Sequence, residues 1–176
     1  MDELRGKPAK DLTQSELEEL HQLAGGKTAG RAGSPDHKAQ AWDDYKKRPR
    51  PPNPPEQAYE RWSKTYENNM VRAKKAAAAT DDYHARLGWG KREVVVDVPG
   101  GETRRLDIGD VPNQRGVEHK TGYITRSPEI NDEVRRDALL VEEGWDITWR
   151  FEGKASKPLL DDLDAAGIRV EFADPN

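Results

Sequence analysis

"RRLDIGDVPNQRGVEHKTG", residues 104–122, decides how the chain is read. Two β-prone segments flank a Pro-Asn turn, yet Asp107, Glu118 and Lys120 stand inside them, where burying an unpaired charge is costly. Side chains alternate along a strand, so Glu118 and Lys120 share one face, while Val117, His119 and Thr121 take the other. The turn allows Asp107 on the preceding strand to come beside the first pair. Two carboxylates and an ammonium then converge on one spot.

Outward from this stretch the pattern is regular. "REVVVDV" upstream is a strand by its β-branched content, and "PGGE" is the turn that folds it against "TRRLDI". With "GVEHKTGYI" the result is an antiparallel meander. Ser127-Pro128-Glu129 then opens a helix with a cap, an early proline and an acid at the positive dipole end, and Gly144 closes it. Its buried face is Ile130, Val134, Ala138 and Val141, with Asp137 in the middle, which calls for a structural partner such as an arginine. "WDITWRF" alternates like a strand with one face in the core. Ser156 to Ala166 reads as a helix stopped by Gly167, and "IRVEF" as a last strand. Upstream, Tyr59, Trp62, Tyr66 and Met70 recur at helical spacing in a helix running to Leu87, with Glu56, Glu60 and Glu67 on one flank. From residue 56 the predicted order is α, β, β, β, α, β, α, β. That is an α/β architecture: a mixed central sheet, meander plus crossover helix and strand, flanked by helices.

Residues 1–55 contrast with this. A short helical candidate, Leu12 to Leu23, is followed by the breaker-rich "AGGKTAGRAGSP" and "KKRPRPPNPP". The expectation is a flexible linker with a short helix at 1–55, then one folded domain at 56–176. The Gly26-Lys27-Thr28 triplet lacks the glycine and preceding strand of a phosphate loop, since His21 stands where that glycine belongs.

Composition removes several chemistries. There is no cysteine, so disulfides, thiolate metal sites and thiol nucleophiles are excluded, and any metal must be held by oxygen or imidazole. No apolar run approaches the roughly 18 residues of a membrane helix, and no secretory signal is evident, so the chain is expected to be soluble without inserting into a membrane. The net charge of −4 is unevenly spread: residues 127–176 carry 13 acids against 6 Lys/Arg, a net of −7, which leaves +3 on residues 1–126. The basic balance lies on the side of the odd stretch.

Two adjacent carboxylates repel, and one pKa rises unless a cation sits between them. A hard divalent ion such as Mg²⁺ resolves the conflict: it takes one or two carboxylates, keeps waters, and accepts phosphate oxygens. A lysine beside it orients a water or stabilises charge on phosphorus. The set suits phosphodiester hydrolysis.

Asp107, ten residues, then Glu118-His119-Lys120 resembles the PD-(D/E)xK restriction-endonuclease-like nuclease motif, over roughly residues 56–172; Leu106 replaces the proline of the name. The resemblance implies a helix, a three-strand meander carrying Asp and then ExK, a crossover helix and a fourth strand. It implies Asp107 and Glu118 as ligands to Mg²⁺ or Mn²⁺, the His119 backbone carbonyl as a third, and Lys120 as the water-positioning residue. An acid from the first helix often joins, for which Glu67 is preferred over Glu60. The His119 ring faces away and reads as packing. Arg115, Tyr123 and Arg126 lie close enough in sequence to touch phosphates, and Trp89 reads as core or as a base-stacking surface.

The C-terminal half also resembles the restriction-endonuclease-fold toxin domains that end bacterial polymorphic toxins. This implies export within a larger effector, action in the cytoplasm of a target cell, nucleic acid as substrate with DNA favoured over RNA, and a cognate immunity protein as inhibitor. Two other readings fit the same residues: a housekeeping repair or restriction nuclease of the same fold, and a non-catalytic nucleic-acid-binding or interaction module.

Overall fold

The computed structural model describes residues 2–25, 30–48 and 55–173. It divides into two compact units, Met1–Lys75 and Ala76–Asn176.

In the first unit, Thr13 caps helix α2 (Gln14–Leu23) with a reciprocal pair: Glu16 N–H donates to Thr13 Oγ1 at 3.3 Å, and Thr13 N–H donates to Glu16 Oε2 at 2.9 Å. It follows α1 (Asp2–Gly6) and a 3₁₀ turn (Ala9–Asp11). Ser34 and Pro35 start α3 (Pro35–Lys47), and α4 (Pro55–Leu87) begins in this unit. Leu12, Leu17, Leu20, Ala39 and Trp42 form a buried core, against which Tyr45, Tyr59 and Trp62 pack. Trp42 lies 5.1 Å from the Tyr59 ring and 4.9 Å from Trp62. The aromatic stripe read from the sequence therefore has its partner inside residues 1–55. The described part of that segment is a packed helical unit with its own core, where a linker was expected, and the unit boundary falls within α4 at Lys75. Gly26 to Thr28, and most of the proline-rich run before α4, lie outside the described residues.

The second unit begins with the rest of α4. Strands β1 (Lys91–Val98) and β2 (Glu102–Asp110) form a hairpin, its turn held by Gly100 and Gly101 at positive φ. β3 (Arg115–Lys120) runs antiparallel to β2. Helix α5 (Pro128–Glu142) crosses over to β5 (Asp146–Phe151), parallel to β3, and α6 (Lys157–Ala165) leads to β7 (Arg169–Phe172), parallel to β5. The five-stranded mixed sheet has the order β1-β2-β3-β5-β7. Two short strands, β4 (Tyr123–Ile124) and β6 (Lys154–Ala155), pair separately. Val96, Val98, Leu106, Ile147, Trp149 and Phe151 pack on Val134 and Leu140 of α5 and on Leu159 and Leu163 of α6. On the opposite face Tyr83 of α4 packs on Ile108 and Val117. The predicted α/β class holds, as does the order of helices and main-sheet strands, but the expected third strand ends at Lys120 and the short β4 and β6 were not foreseen.

Candidate active site

The site is built where the sheet's alternation slips. Val94 pairs with Leu106 and Arg92 with Ile108, but Glu93 and Asp107 between them are unpaired, and Glu93 is left-handed at φ 57°. On the other side, β2–β3 pairing ends at Ile108 and Val117. Leu106 joins the α5/α6 core, whereas Ile108 joins the α4 side. Asp107 thus sits at a break in both ladders. Its carboxylate replaces a main-chain acceptor: His119 N–H donates to Asp107 Oδ2 at 2.8 Å. Arg92 Nη1 holds the Asp107 carbonyl at 2.6 Å.

Glu118 is 6 % exposed and faces α5. Lys120 Nζ lies 2.6 Å from its Oε1, and Arg104 Nη2 donates to its Oε2 at 2.8 Å. Arg104 is itself gripped by Asp137 of α5, Nε to Oδ1 at 2.7 Å and Nη2 to Oδ2 at 3.1 Å. Trp149 Nε1 donates to the same Oδ2 at 2.8 Å. Asp137 therefore has the arginine that its place on a buried helix face demanded. Lys120 also donates to Glu133 Oε2 at 2.5 Å and lies 5.1 Å from the Trp149 ring centre.

Charge is unbalanced here. Among the described residues, ion pairs join three carboxylates, Glu118, Glu133 and Asp137, to two cations, Arg104 and Lys120, and Asp107 lies close enough to act on Glu118. Burial pushes the Glu118 carboxyl up to about 7; Lys120 and Arg104 pull it down, and Asp107 and Glu133 push it further up. Burial works against the Lys120 ammonium, but Glu118 and Glu133 outweigh it and raise its pKa. Lys120 is therefore a permanent cation at neutral pH, a donor and not a base.

Glu118 and Lys120 form an ion pair, and Asp107 lies near enough to raise the Glu118 pKa while its carboxylate accepts from the His119 N–H. The His119 ring takes the opposite face, as predicted, bonded to Thr80 Oγ1 and Glu152 Oε1 at 3.0 Å each and stacked on Tyr83. Glu67 belongs to the first unit, where Lys38 Nζ donates to its Oε1 at 2.8 Å. Glu60 is an exposed residue of the same unit, and the Glu56 side chain lies outside the described residues. Arg115 pairs with Asp110 and covers the Trp89 ring at 4.3 Å, and Arg126 pairs with Asp162. Sequence reasoning missed Arg104 and Glu133. The buried position of Asp137 was the signal for the first; the second gave none, because an acid on the α5 surface looks solvated.

Among the described residues no group of three or more His, Asp or Glu side chains is placed to hold a metal ion. Two hard carboxylates with an excess of negative charge match in type and number the protein ligands that Mg²⁺ takes, its other positions going to water and phosphate. No helix of the described residues is long and apolar enough to cross a membrane. Comparison with known proteins returns no matching family model, no matching curated protein and no matching solved structure.

Proposed function

We propose that the second unit is a divalent-metal-dependent nuclease of the PD-(D/E)xK type, acting on phosphodiester bonds, preferably in DNA. The observation that carries this reading is the buried Glu118–Lys120 ion pair with Asp107 close by, where the β2–β3 ladder ends, in a cluster whose carboxylates outnumber its cations. The order α4, β1, β2, β3, α5, β5, with β5 parallel to β3, supports it.

Asp107 and Glu118, with the His119 carbonyl, would hold Mg²⁺ or Mn²⁺, whose chemistry when bound is to polarise the phosphoryl group and acidify water. The protein's own part falls to three residues. Arg104, fixed by Asp137, holds Glu118 in one rotamer. Lys120 Nζ donates to the attacking water or to a non-bridging phosphoryl oxygen, where charge grows in the transition state. Glu133 keeps that ammonium aimed across the site.

A second reading has its own support: both Glu118 oxygens are already bonded to cations, as in a structural ion network of a non-catalytic module. Incubating the protein with plasmid and with total RNA, in Mg²⁺ or in EDTA, decides between them. Cleavage in Mg²⁺ is expected, abolished by EDTA and reduced by about 100-fold or more in Glu118→Gln and Lys120→Ala, the scale of losing a preorganised charge contact. Full activity of both variants, or no cleavage of either substrate, removes the nuclease reading. The toxin setting is a further proposal, resting on the resemblance of the C-terminal half. Expression should kill a bacterial host and Glu118→Gln should not; harmless expression of an active enzyme favours a housekeeping nuclease.

A further inference from the structure

Away from the cluster, α4 carries a row of cations with no role in the site. Arg61, Lys64, Asn68, Arg72 and Lys75 succeed one another at intervals of three or four residues and are all exposed. At 3.6 residues per turn they fall within an arc of roughly 80°, along ~21 Å of helix. Among the described residues no carboxylate lies within salt-bridge distance of Arg61, Lys64, Arg72 or Lys75, whereas Lys7, Lys46, Lys47, Arg92, Arg135 and Arg136 all have one. Of the acids on the flank, Glu67 is already bonded to Lys38, and Glu60 lies only beside the start of the row. Four like charges held in line repel each other and are not stabilised by the fold.

We propose that this face of α4 is a docking surface for the phosphate backbone of a nucleic-acid duplex. The row is straight, wholly cationic or neutral, and its one large apolar neighbour is Val71, 54 % exposed. A protein partner's interface is built on an apolar core with a polar rim, which this row lacks. Nucleic-acid interfaces are polar and positive, and phosphate contacts fix position without reading sequence. The inference stands on charge and geometry in the first unit and does not need the cluster in the second to be catalytic.

Binding to a 20-base-pair mixed-sequence duplex, measured against salt in EDTA with the full chain, tests it. Removing four phosphate contacts lowers the slope of log K against log salt by about 3.6, so wild type loses on the order of 100-fold more affinity than the variant between 50 and 200 mM salt. The variant is Arg61→Gln, Lys64→Gln, Arg72→Gln and Lys75→Gln together; glutamine is a good helix former at exposed sites. Lys64→Arg with Lys75→Arg should keep the wild-type slope. A control with the same net charge replaces Lys10, Lys47, Lys154 and Lys157 by Gln and should change the slope little. An unchanged slope in the row variant, or an equal loss in the control, overturns the proposal. So does binding of polyglutamate that is tighter than that of the duplex and equally lost in the row variant, which would mark a protein partner. Because the assay contains no divalent ion and reads binding, not cleavage, failure here and failure of the nuclease reading are separable.

Discussion

Glu118 is buried against α5 with Arg104 on one oxygen and Lys120 on the other, and its pKa still sits near 7. Desolvation therefore outweighs two adjacent cations. From about pH 4.5 to 7 the folded carboxyl keeps a proton that the unfolded chain has released, so the unfolded state binds fewer protons and stability falls as pH rises through that window. In EDTA, the urea midpoint of the sheet unit should drop between pH 5 and 8, and Glu118→Gln should flatten that slope. If the carboxylates hold Mg²⁺, the ion should raise the midpoint more at pH 8 than at pH 5.5, because ligation requires the ionised form. Arg104 is the more structural member of the pair. Arg104→Met leaves Asp137 buried without its cation and Glu118 with Lys120 alone, a loss of about 3–5 kcal/mol. An unfolding free energy within 1 kcal/mol of wild type would show that water, not Arg104, satisfies these acids.

The same site shows how much an element reveals from sequence. α5 was legible because Ser127-Pro128 and Gly144 bracket a clean apolar period, and β5 because Trp145 to Phe151 alternate. Asp107 was legible as a residue of β2 near Glu118, but the slip that exposes it was not. It depends on Glu93 adopting φ 57°, a conformation glutamate rarely takes and no local pattern announces. Nor did sequence separate β4 and β6 from the main sheet. Their pairing depends on Gly153, where an added Cβ would lie 2.1 Å from the Gly122 carbonyl oxygen. Gly153→Ala must push the two backbones apart, with a cost of about 1–3 kcal/mol expected for overpacking. Hydrogen exchange should quicken first at the amides of Lys154 and Ser156, which donate to Gly122 and Ile124 at 3.1 and 2.9 Å. Unchanged protection there would mean that the short pair is not what Gly153 maintains.

Across the whole chain, the part least visible in sequence is the first unit. Its core residues come from three segments separated by breaker-rich stretches: Leu12, Leu17 and Leu20 just before and on α2, Ala39 and Trp42 on α3, and Tyr59 and Trp62 on α4. Periodicity marks residues 12–23 as a short helix and 59–70 as an amphipathic one but gives no sign of α3, because the burial that stabilises these segments is supplied by the others. The tertiary partner is what propensity lacks. Each unit has its own buried cluster, so a cavity in one should be felt there first. Leu17 and Leu159 are both fully buried, one in each core. Either Leu→Ala change should cost about 2–5 kcal/mol in its own unit. In native-state hydrogen exchange, Leu17→Ala should lower the protection of α2 and α3 while β3 and β5 keep theirs, and Leu159→Ala should do the reverse. Equal loss in all four elements from either substitution would show that the two cores open as one cooperative block. The docking row on the first unit would then be tied to the integrity of the sheet that carries Asp107, Glu118 and Lys120.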